Sequence, residues 1–312
     1  MDRPVVVVGS LNMDLVVNPE RAPAAGETVF APRLDQFPGG KGANQAVAAA
    51  RLGTPVAMVG RVGQDAFGDR LLESLRADGV NTGAVSRSAA AGTGTAVITV
   101  DATGQNRIVV VPGANAEVTP ELVEAHRDLI ASACALLLQL EVPVAACVRA
   151  AELAAAAGVP VILDPAPAPA EPLPESLRRH TWLITPNETE AAALTGVRVE
   201  GRRGAEEAAR VLAAQGFRQV LIKLGGEGAY LFRGGEGRWF DAFRVPVVDT
   251  TAAGDAFAGG LAAALCRGLE LEDAVRWGMA AGALAVTRPG AQPAMGTLAE
   301  LTTLLRTGRL DG

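Results

Sequence analysis

Short apolar runs alternate along the chain with longer segments in which apolar residues recur at helical spacing. The first run, Val5–Val8, is unbroken and ends at Gly9, a pattern typical of a buried parallel strand. The same pattern predicts five further strands, at Val56–Gly60, Ala135–Leu140, Val159–Leu163, Trp182–Thr185 and Val220–Leu224. Between the runs, the spacing predicts helices at Asn44–Leu52, Phe67–Ala77, Pro120–Ile130, Val144–Ala157 and Ala205–Gln215. This alternation predicts an α/β fold with a mostly parallel central sheet and helices on both faces.

Two regions interrupt the alternation and predict a small second sheet. Residues 11–37 contain the short β-rich runs Leu15–Val17 and Thr28–Phe30, with prolines and little helical spacing. Residues 93–111 form two β-rich runs around a turn at Asp101–Gly104, which predicts a hairpin. A small sheet exposes a face or an edge, so we expect it to cover a cleft, to dimerise, or both.

The rest of the chain predicts one domain, residues 1–312, with this small sheet as a lid. The Pro-rich run Pro165–Pro174 is too short for a domain linker and predicts a loop. A further hairpin is predicted around Arg233–Gly237, at the later half of the main sheet.

Composition excludes several classes of function. The 312 residues are 49% hydrophobic, which is ample for a core, and the net charge of −6 argues against nucleic acid or anionic membranes as partners. The sequence contains neither a signal peptide nor about 18 consecutive apolar residues, so we expect a cytoplasmic protein. Cys134, Cys147 and Cys266 have no metal-binding spacing and predict unpaired core residues in a reducing compartment.

The segment Asp249–Gly260 carries the strongest chemical signal. It follows an apolar run, Val245, Val247 and Val248, which predicts an extended segment, and it opens a helix at Gly254. The small side chains of Ala252, Ala253 and Gly254 would let an anion approach the free amides at the positive end of that helix. Asp255 stands beside these amides and could take a proton from a hydroxyl, so the segment predicts phosphoryl transfer to an alcohol. The alternative is that Asp255 only caps a helix.

A glycine-rich turn, Gly39–Gly42, leads through Ala43 and Asn44 into another helix. Its glycines would allow the backbone to face a ligand, and the Asn44 amide can bond two hydroxyls. The turn matches neither a Walker loop nor a dinucleotide fingerprint, and it could simply precede a capped helix. The chain has only two lysines, Lys41 and Lys223, and both adjoin glycine-rich turns.

Taken in order, the two segments resemble the paired signatures of the ribokinase-like family of carbohydrate kinases, of the phosphofructokinase B type. The resemblance spans essentially the whole chain and includes Asn12–Asp14, Gln139–Glu141, Asn187–Glu190 and Gly290–Gln292. It implies a three-layer fold in which a small β-sheet lid covers the site. Dimerisation through the lid is implied in the same way.

The resemblance also implies roles for individual residues. Sugar contacts would come from Asn12, Met13, Asp14, Gly40, Lys41, Gly42, Ala43, Asn44, Glu141 and Asp255. ATP contacts would come from Asn187, Lys223, Leu224, Gly225, Gly226, Glu227, Gly228, Gly254, Asp255 and Met279. Related sequences often have a hydroxyl residue at position 223 and histidine or asparagine at position 279. Asn12 and Asp14 could instead cap turns, and Asn187 with Glu190 could form a helix capping box.

Two cations are implied by the resemblance. Glu190 would hold Mg²⁺ through water, as suits a cation that keeps much of its hydration shell. A monovalent cation, expected to be K⁺, would be held mostly by backbone carbonyls of Asp249, Thr251, Ala285, Arg288, Gly290 and Ala294. Serine is common in relatives at the last of these positions, so one side-chain ligand is missing here.

The expected activity is transfer of the ATP γ-phosphoryl group to the 5-hydroxyl of D-ribose. Asp255 would act as general base, and the amides of Ala252, Ala253, Gly254 and Asp255 would stabilise the transferred charge. Deoxyribose, fructose, a sugar phosphate or a nucleoside such as adenosine remain alternative acceptors. A non-catalytic sugar sensor on the same fold is a further alternative, and a nicotinamide dehydrogenase lacks its phosphate fingerprint.

Overall fold

The computed structural model describes residues 3–103 and 105–309, which form two β-sheets and the helices around them. In chain order the strands are β1 (Val5–Val8), β2 (Asn12–Val17), β3 (Leu34–Gly39), β4 (Val56–Gly63), β5 (Asn81–Ser88), β6 (Gly94–Val100), β7 (Asn106–Val111), β8 (Ala135–Leu138), β9 (Val161–Leu163), β10 (Leu183–Ile184), β11 (Gln219–Lys223), β12 (Ala229–Arg233) and β13 (Glu236–Phe240). The helices are α1 (Lys41–Arg51), α2 (Ala66–Ala77), α3 (Pro120–Glu124), α4 (Arg127–Ala131), α5 (Val144–Ala156), α6 (Glu175–His180), α7 (Glu188–Thr195), α8 (Gly201–Ala214), α9 (Ala253–Cys266), α10 (Leu271–Ala285) and α11 (Leu298–Thr307).

Within the described residues, the main sheet has nine strands in the order β13-β12-β11-β10-β9-β8-β1-β4-β5. All neighbours are parallel except β11–β12 and β12–β13, which are antiparallel. The carboxyl ends of the parallel strands therefore meet at one edge, where open α/β sheets bind their ligands. The predicted α/β class and mostly parallel sheet are confirmed, and so is the hairpin around Arg233–Gly237.

Helices cover both faces of this sheet, which explains why its central strands are apolar without interruption. Val5 and Val7 of β1 point into a core formed with α1, α2, α9, α10 and α11. Val6 and Val8 point into a second core formed mainly with α3, α5, α6 and α8. All four valines are fully buried. Burial on both faces removes the polar alternate positions that a half-exposed strand would have.

Three predicted elements differ from the structure. The helix predicted at Pro120–Ile130 is two short helices, α3 and α4, because the backbone at His126 leaves the helical region with φ −112°. The β-rich run Thr28–Phe30 is not a strand: Phe30 is 92% exposed, and Leu34–Gly39 pairs instead. Residues 245–248, read as extended, form an irregular segment in which Val247 and Val248 are exposed.

The small sheet has the strand order β3-β2-β6-β7. The hairpin predicted in residues 93–111 is confirmed as β6 and β7, although Gly104 of its turn lies outside the described residues. Asn12, the first residue of β2, pairs with Gly39 on one side and Gly94 on the other. Because β2 follows β1 after three residues, this end of the small sheet lies at the carboxyl edge of the main sheet.

The prediction of three unpaired cysteines is wrong for two of them. Cys134, just before β8, forms a disulfide with Cys266, the last residue of α9. The two are 132 residues apart in sequence, and they meet because α9 packs against β8. Cys147 is buried and unpaired as predicted, and its thiol donates to the backbone oxygen of Gln139 at 3.2 Å. Among the described residues, no helix is long and apolar enough to span a membrane.

Candidate active site

The turn before α9 presents free backbone amides at the carboxyl edge of the sheet. Ala252 caps the helix in the left-handed region (φ 57°), a conformation that L-residues seldom adopt and that is a sign of local strain. The Ala253 amide donates to the Thr250 oxygen at 3.3 Å. The amides of Ala252, Gly254 and Asp255 have no acceptor within the described part of the chain. Three of the four predicted amides are therefore available to an anion.

Asp255 lies in the first turn of α9 and is only 4% exposed. Its two oxygens accept hydrogen bonds from Asn44 Nδ2 at 3.0 Å and from Gln45 Nε2 at 3.3 Å. Burial raises the pKa of Asp255 to about 6, and the carboxylates of Asp164 and Glu141 act in the same direction. The charge of Lys41 opposes them. Asp255 is thus a buried carboxylate, fixed in orientation by its hydrogen bonds, that ionises close to neutral pH.

The glycine-rich turn brings Asn44 and Gln45 to this carboxylate. Helix α1 begins at Lys41 rather than at Asn44, directly after Gly40. Gly40 has φ 89°, and a β-carbon there would lie 2.7 Å from the Asn12 nitrogen. Only glycine fits this close crossing of β2 by the turn. At Gly40 the absence of a side chain thus permits a close contact between two segments of the chain, and the expectation that the turn faces a ligand stays a prediction.

A cluster of polar side chains lies where the turn meets the small sheet. Glu141 Oε2 accepts from Ser10 Oγ at 2.5 Å, from the Lys41 amide at 3.1 Å and from Asn12 Nδ2 at 3.5 Å. Asn12 Oδ1 in turn accepts from Asn115 Nδ2 at 2.7 Å. The predicted residues Asn12, Glu141 and Lys41 are therefore brought together, although they come from three separate parts of the chain.

Several acidic side chains lie close together in this cluster, and their charges shift the pKa values of their neighbours. Asp14 has its pKa raised to about 7, first by burial and then by the charges of Glu141 and Asp255. Lys41 has a raised pKa because it faces several carboxylates, Asp255 above all, while burial opposes the shift. Such a cluster offers hydrogen-bond acceptors to the hydroxyl groups of a sugar, and the ammonium group of Lys41 lies among these acceptors.

A second group of predicted residues lies at the end of β10. Asn187 Oδ1 accepts from the Glu190 amide at 2.9 Å, and Glu190 Oε2 accepts from the Asn187 amide at 2.8 Å. The capping box considered from the sequence is therefore present. Glu190 is 8% exposed, and burial raises its pKa while Lys223 lowers it. The side chain of Lys223 bonds Asp164 Oδ1 at 2.8 Å.

Four residues of the site were not predicted: Ser10, Gln45, Asn115 and Asp164. Asp164 directly follows β9, just as Glu141 closes the edge beyond β8, so the rule that selected Glu141 would have found it. Ser10 likewise lies after β1, two residues before Asn12. Gln45 directly follows Asn44 in the glycine-rich signature. Asn115, in the turn Gly113–Glu117, had no such signal, because its partners Leu11 and Asn12 are about a hundred residues away.

The predicted nucleotide residues are only partly brought together. Gly225–Glu227 form a tight turn after β11, closed by the bond from the Leu224 amide to the Gly228 oxygen at 2.9 Å. Met279 lies on α10 and lines a cavity of about 810 Å³ with Phe243 and Arg276. That cavity is lined by neither the 225–228 turn nor the residues around Asp255.

The residues predicted for a monovalent cation lie on two joined loops. Asp249 accepts from the Gly290 amide at 2.8 Å and from the amide and hydroxyl of Thr251 at 2.9 and 2.6 Å. The Val286 oxygen accepts from the amides of Val248 and Asp249. Ala285 and Ala294 are fully buried, whereas the Arg288 side chain turns away to pair with Glu300. The backbones of both loops thus converge beside the start of α9.

Comparison with known proteins agrees with this geometry. Residues 2–298 match the pfkB family of carbohydrate kinases. The chain is 39% identical to a ribokinase of Haemophilus influenzae, over 98% of this chain and 99% of that one. A deoxyribokinase of Salmonella typhi is 36% identical, over 92% and 94% of the two chains. The structure of Arabidopsis thaliana ribokinase complexed with ribose and ATP superposes with a TM-score of 0.93, at 38% identity and with 98% and 99% of the two chains covered.

The match over nearly the whole chain defines the class of protein, a carbohydrate kinase with an α/β fold and a small separate β-sheet. The chain belongs to the pfkB family of carbohydrate kinases.

Replacing Asp14 with asparagine should raise the free energy of unfolding, and the gain should grow with pH. The folded chain holds the Asp14 proton with a pKa of about 7, against an ordinary value of 3.8. Stability is therefore lost as the pH rises from the unfolded pKa through the folded one. We expect the advantage of Asp14→Asn to grow by about 1–2 kcal/mol between about pH 5.5 and about pH 8.

Urea unfolding at the two pH values measures this gain. Asp241→Asn, at an exposed position outside the cluster, is the matched control and should show a constant difference. The same constant difference in Asp14→Asn would contradict the prediction.

Proposed function

We propose that this protein transfers the γ-phosphoryl group of ATP to the 5-hydroxyl of D-ribose. The observation that carries the proposal is a buried Asp255 carboxylate beside the unbonded amides of Ala252, Gly254 and Asp255. Similarity to ribokinases over nearly the whole chain, including one complexed with ribose and ATP, supports the choice of acceptor.

Asp255 acts as the general base in this proposal. With a pKa of about 6, it is mostly ionised at neutral pH and still basic enough to accept a proton from the attacking hydroxyl. Asn44 and Gln45 fix the orientation of the carboxylate, so that one face of it can meet the sugar. Because the base is already held in one position, little further freedom of movement is lost in the transition state, and the entropic part of the barrier is smaller.

The start of α9 stabilises the charge on the transferred phosphoryl group. The unbonded amides of Ala252, Gly254 and Asp255 lie at the positive end of the helix dipole. Because residues 252–254 have no side chain beyond a methyl group, the phosphate can approach these amides closely. The amide of Ala253 already donates to the Thr250 oxygen and therefore contributes less to stabilising this charge.

The sugar binds at the cluster of polar side chains beside Lys41. Its hydroxyls meet acceptors at Asp14, Glu141 and Asn12 and donors along the glycine-rich turn, residues 40–44. Asp14 gains a hydrogen-bond donor when a hydroxyl arrives, which would lower its raised pKa. The small sheet, which carries Asn12 and Asp14 on β2, closes over the sugar and limits hydrolysis of ATP by water.

The nucleotide lies along the other side of α9, toward Asn187, Lys223 and the 225–228 turn, with its base near Met279. When bound with the nucleotide, Mg²⁺ would supply positive charge that offsets the negative charge of the transferred phosphoryl group. Glu190 fits a magnesium position reached through water, because both of its oxygens already accept bonds from Asn187 at 2.8 and 3.0 Å.

Two kinds of alternative use the same site: another acceptor for the phosphoryl group, and sugar binding without catalysis. Deoxyribose is the nearest, since a deoxyribokinase is almost as similar as the ribokinases, and fructose, sugar phosphates and adenosine are further acceptors. A sugar phosphate is disfavoured because Lys41 is the one lysine in the sugar pocket. A sensor without catalysis is disfavoured because it has no need of a buried base beside unbonded amides.

We expect ATP-dependent ADP release to be fastest with D-ribose in a panel that includes deoxyribose, fructose and adenosine. Asp255→Asn should lower turnover by roughly 10²–10⁴-fold, as expected for a lost general base, while ribose and ATP still bind. A coupled ADP-release assay gives the rates, and calorimetry gives the binding. ADP release from none of the acceptors would refute the proposed activity, and near-normal turnover by Asp255→Asn would refute the assigned base.

Potassium should raise turnover over that measured in the same concentration of a large inert cation such as tetramethylammonium. The two loops beside α9 supply backbone carbonyls, the ligands that suit a weakly hydrated monovalent cation, although Ala294 offers no side-chain oxygen. Rates compared at constant ionic strength test this expectation. Equal rates in both salts would remove the cation from the mechanism.

We further propose a homodimer formed through the small sheet. All six residues of its edge strand β7 are exposed, among them Ile108, Val109 and Val111 at 53–64%. An apolar edge of this kind invites pairing with a second copy.

The double substitution Val109→Asp with Val111→Asp should give a monomer in sedimentation experiments. Two buried charges at such an interface would have no partner in the dimer. Val247→Asp, at an equally exposed valine outside the small sheet, is the control and should leave the dimer intact. A dimer that survives the double substitution would place the interface elsewhere.

A further inference from the structure

An ion pair is buried where the phosphates of the nucleotide are expected. Lys223 Nζ lies 2.8 Å from Asp164 Oδ1, and the two side chains are only 14% and 3% exposed. A buried ion pair is retained at a considerable desolvation cost, which further bonds to each charge must offset.

Asp164 has a second partner that connects it to the general base. Its Oδ2 accepts from Gln45 Nε2 at 3.1 Å, and the same nitrogen donates to Asp255 Oδ1 at 3.3 Å. Gln45 Oε1 accepts from Gln139 Nε2 at 2.6 Å. The orientation of the Gln45 amide is therefore fixed, because the reverse would place its oxygen against two carboxylates. A continuous chain of bonds runs from Lys223 to Asp255.

Lys223 also lies against the free amides. A β-carbon added to Gly254 would be 3.3 Å from Lys223 Nζ, so the ammonium group touches the first turn of α9. The unbonded amides of Gly254 and Asp255 are in that same turn. A phosphate bound to these amides would come within reach of the ammonium group and compete with Asp164 for it.

We propose that Lys223 is an internal counter-ion that changes partner, from Asp164 in the free protein to a phosphate of the bound nucleotide. Asp164 holds the ammonium group at the anion site until the nucleotide arrives. Gln45 keeps Asp164 and Asp255 in a fixed relation, so it is a positioning residue. This inference rests on the proposed function in one respect, namely that the nucleotide phosphates bind at the start of α9.

The exchange predicts opposite effects for the two members of the pair. Without Lys223 the phosphates lose a charged partner, so the nucleotide binds more weakly. Without the Asp164 charge, Lys223 loses its competing partner and the phosphates lose a nearby negative charge, so the nucleotide binds more tightly. A pair that only stabilises the fold would give no such opposition, since both changes would then weaken binding or leave it unchanged.

The test is calorimetric titration with ATP in the presence of EDTA and without sugar, so that no divalent cation masks the carboxylates. Lys223→Met should weaken ATP binding by about 10- to 100-fold. Asp164→Asn should tighten it by roughly threefold or more. In the Lys223→Met background, Asp164→Asn should tighten ATP binding less than it does alone, because the release of Lys223 no longer contributes.

Two controls separate the phosphate contact from general damage. Adenosine, which has no phosphate, should bind all variants equally. Arg149→Met removes an ion-paired cation on α5 and should leave ATP binding unchanged. If Lys223→Met does not fold, Lys223→Gln keeps a hydrogen bond to Asp164 without the charge and should weaken ATP binding in the same direction.

Weaker or unchanged ATP binding by Asp164→Asn would overturn the exchange, as would unchanged binding by a folded Lys223 variant. These outcomes are distinct from failure of the proposed function. In that case the unsubstituted protein would release no ADP with any sugar or would not bind ATP.

Discussion

Asn44 and Gln45 donate hydrogen bonds to the buried carboxylate of Asp255, and these two bonds join α1 to α9 across the carboxyl edge of the sheet. The other parts of the site depend on this junction. The glycine-rich turn can reach Asp255 only because Gly40 lets it cross β2 closely. Helix α9 is held at its other end by the disulfide between Cys266 and Cys134. Asp255 and the free amides beside it are therefore fixed to one rigid helix.

Opposing effects set the ionisation of this site. Burial and neighbouring carboxylates raise the pKa of Asp255, while Lys41 and the bond from Asn44 lower it, and the outcome is a pKa of about 6. The same crowding acts on Asp14 and Glu190. The ligands of the proposed reaction would stabilise the charged form of each group and so lower its raised pKa. These ligands are hydroxyl donors at the sugar end and a cation at the phosphate end. The site thus gives up stability in the free protein to gain affinity for its ligands.

Periodicity in the sequence predicted the main sheet because strands such as β1 are buried on both faces and leave an unambiguous apolar run. The prediction failed where a segment that favours a strand has no neighbouring strand to pair with. Thr28–Phe30 is such a segment: no strand among the described residues pairs with it, and Phe30 is exposed. The disulfide and the contacts of Asn115 could not be predicted, because they join residues about a hundred or more positions apart that only the packed fold brings together.

The lysine at position 223 changes how charge is balanced beside Asp164 and Glu190. Without it, Lys41 would be the lysine that still acts on both carboxylates. In this chain Lys223 bonds Asp164 and lowers the pKa of Glu190. Glu190 therefore stays closer to its ionised form than it would without the lysine. Since Asp164 shares the Gln45 amide with Asp255, Lys223 is also connected through hydrogen bonds to the proposed base.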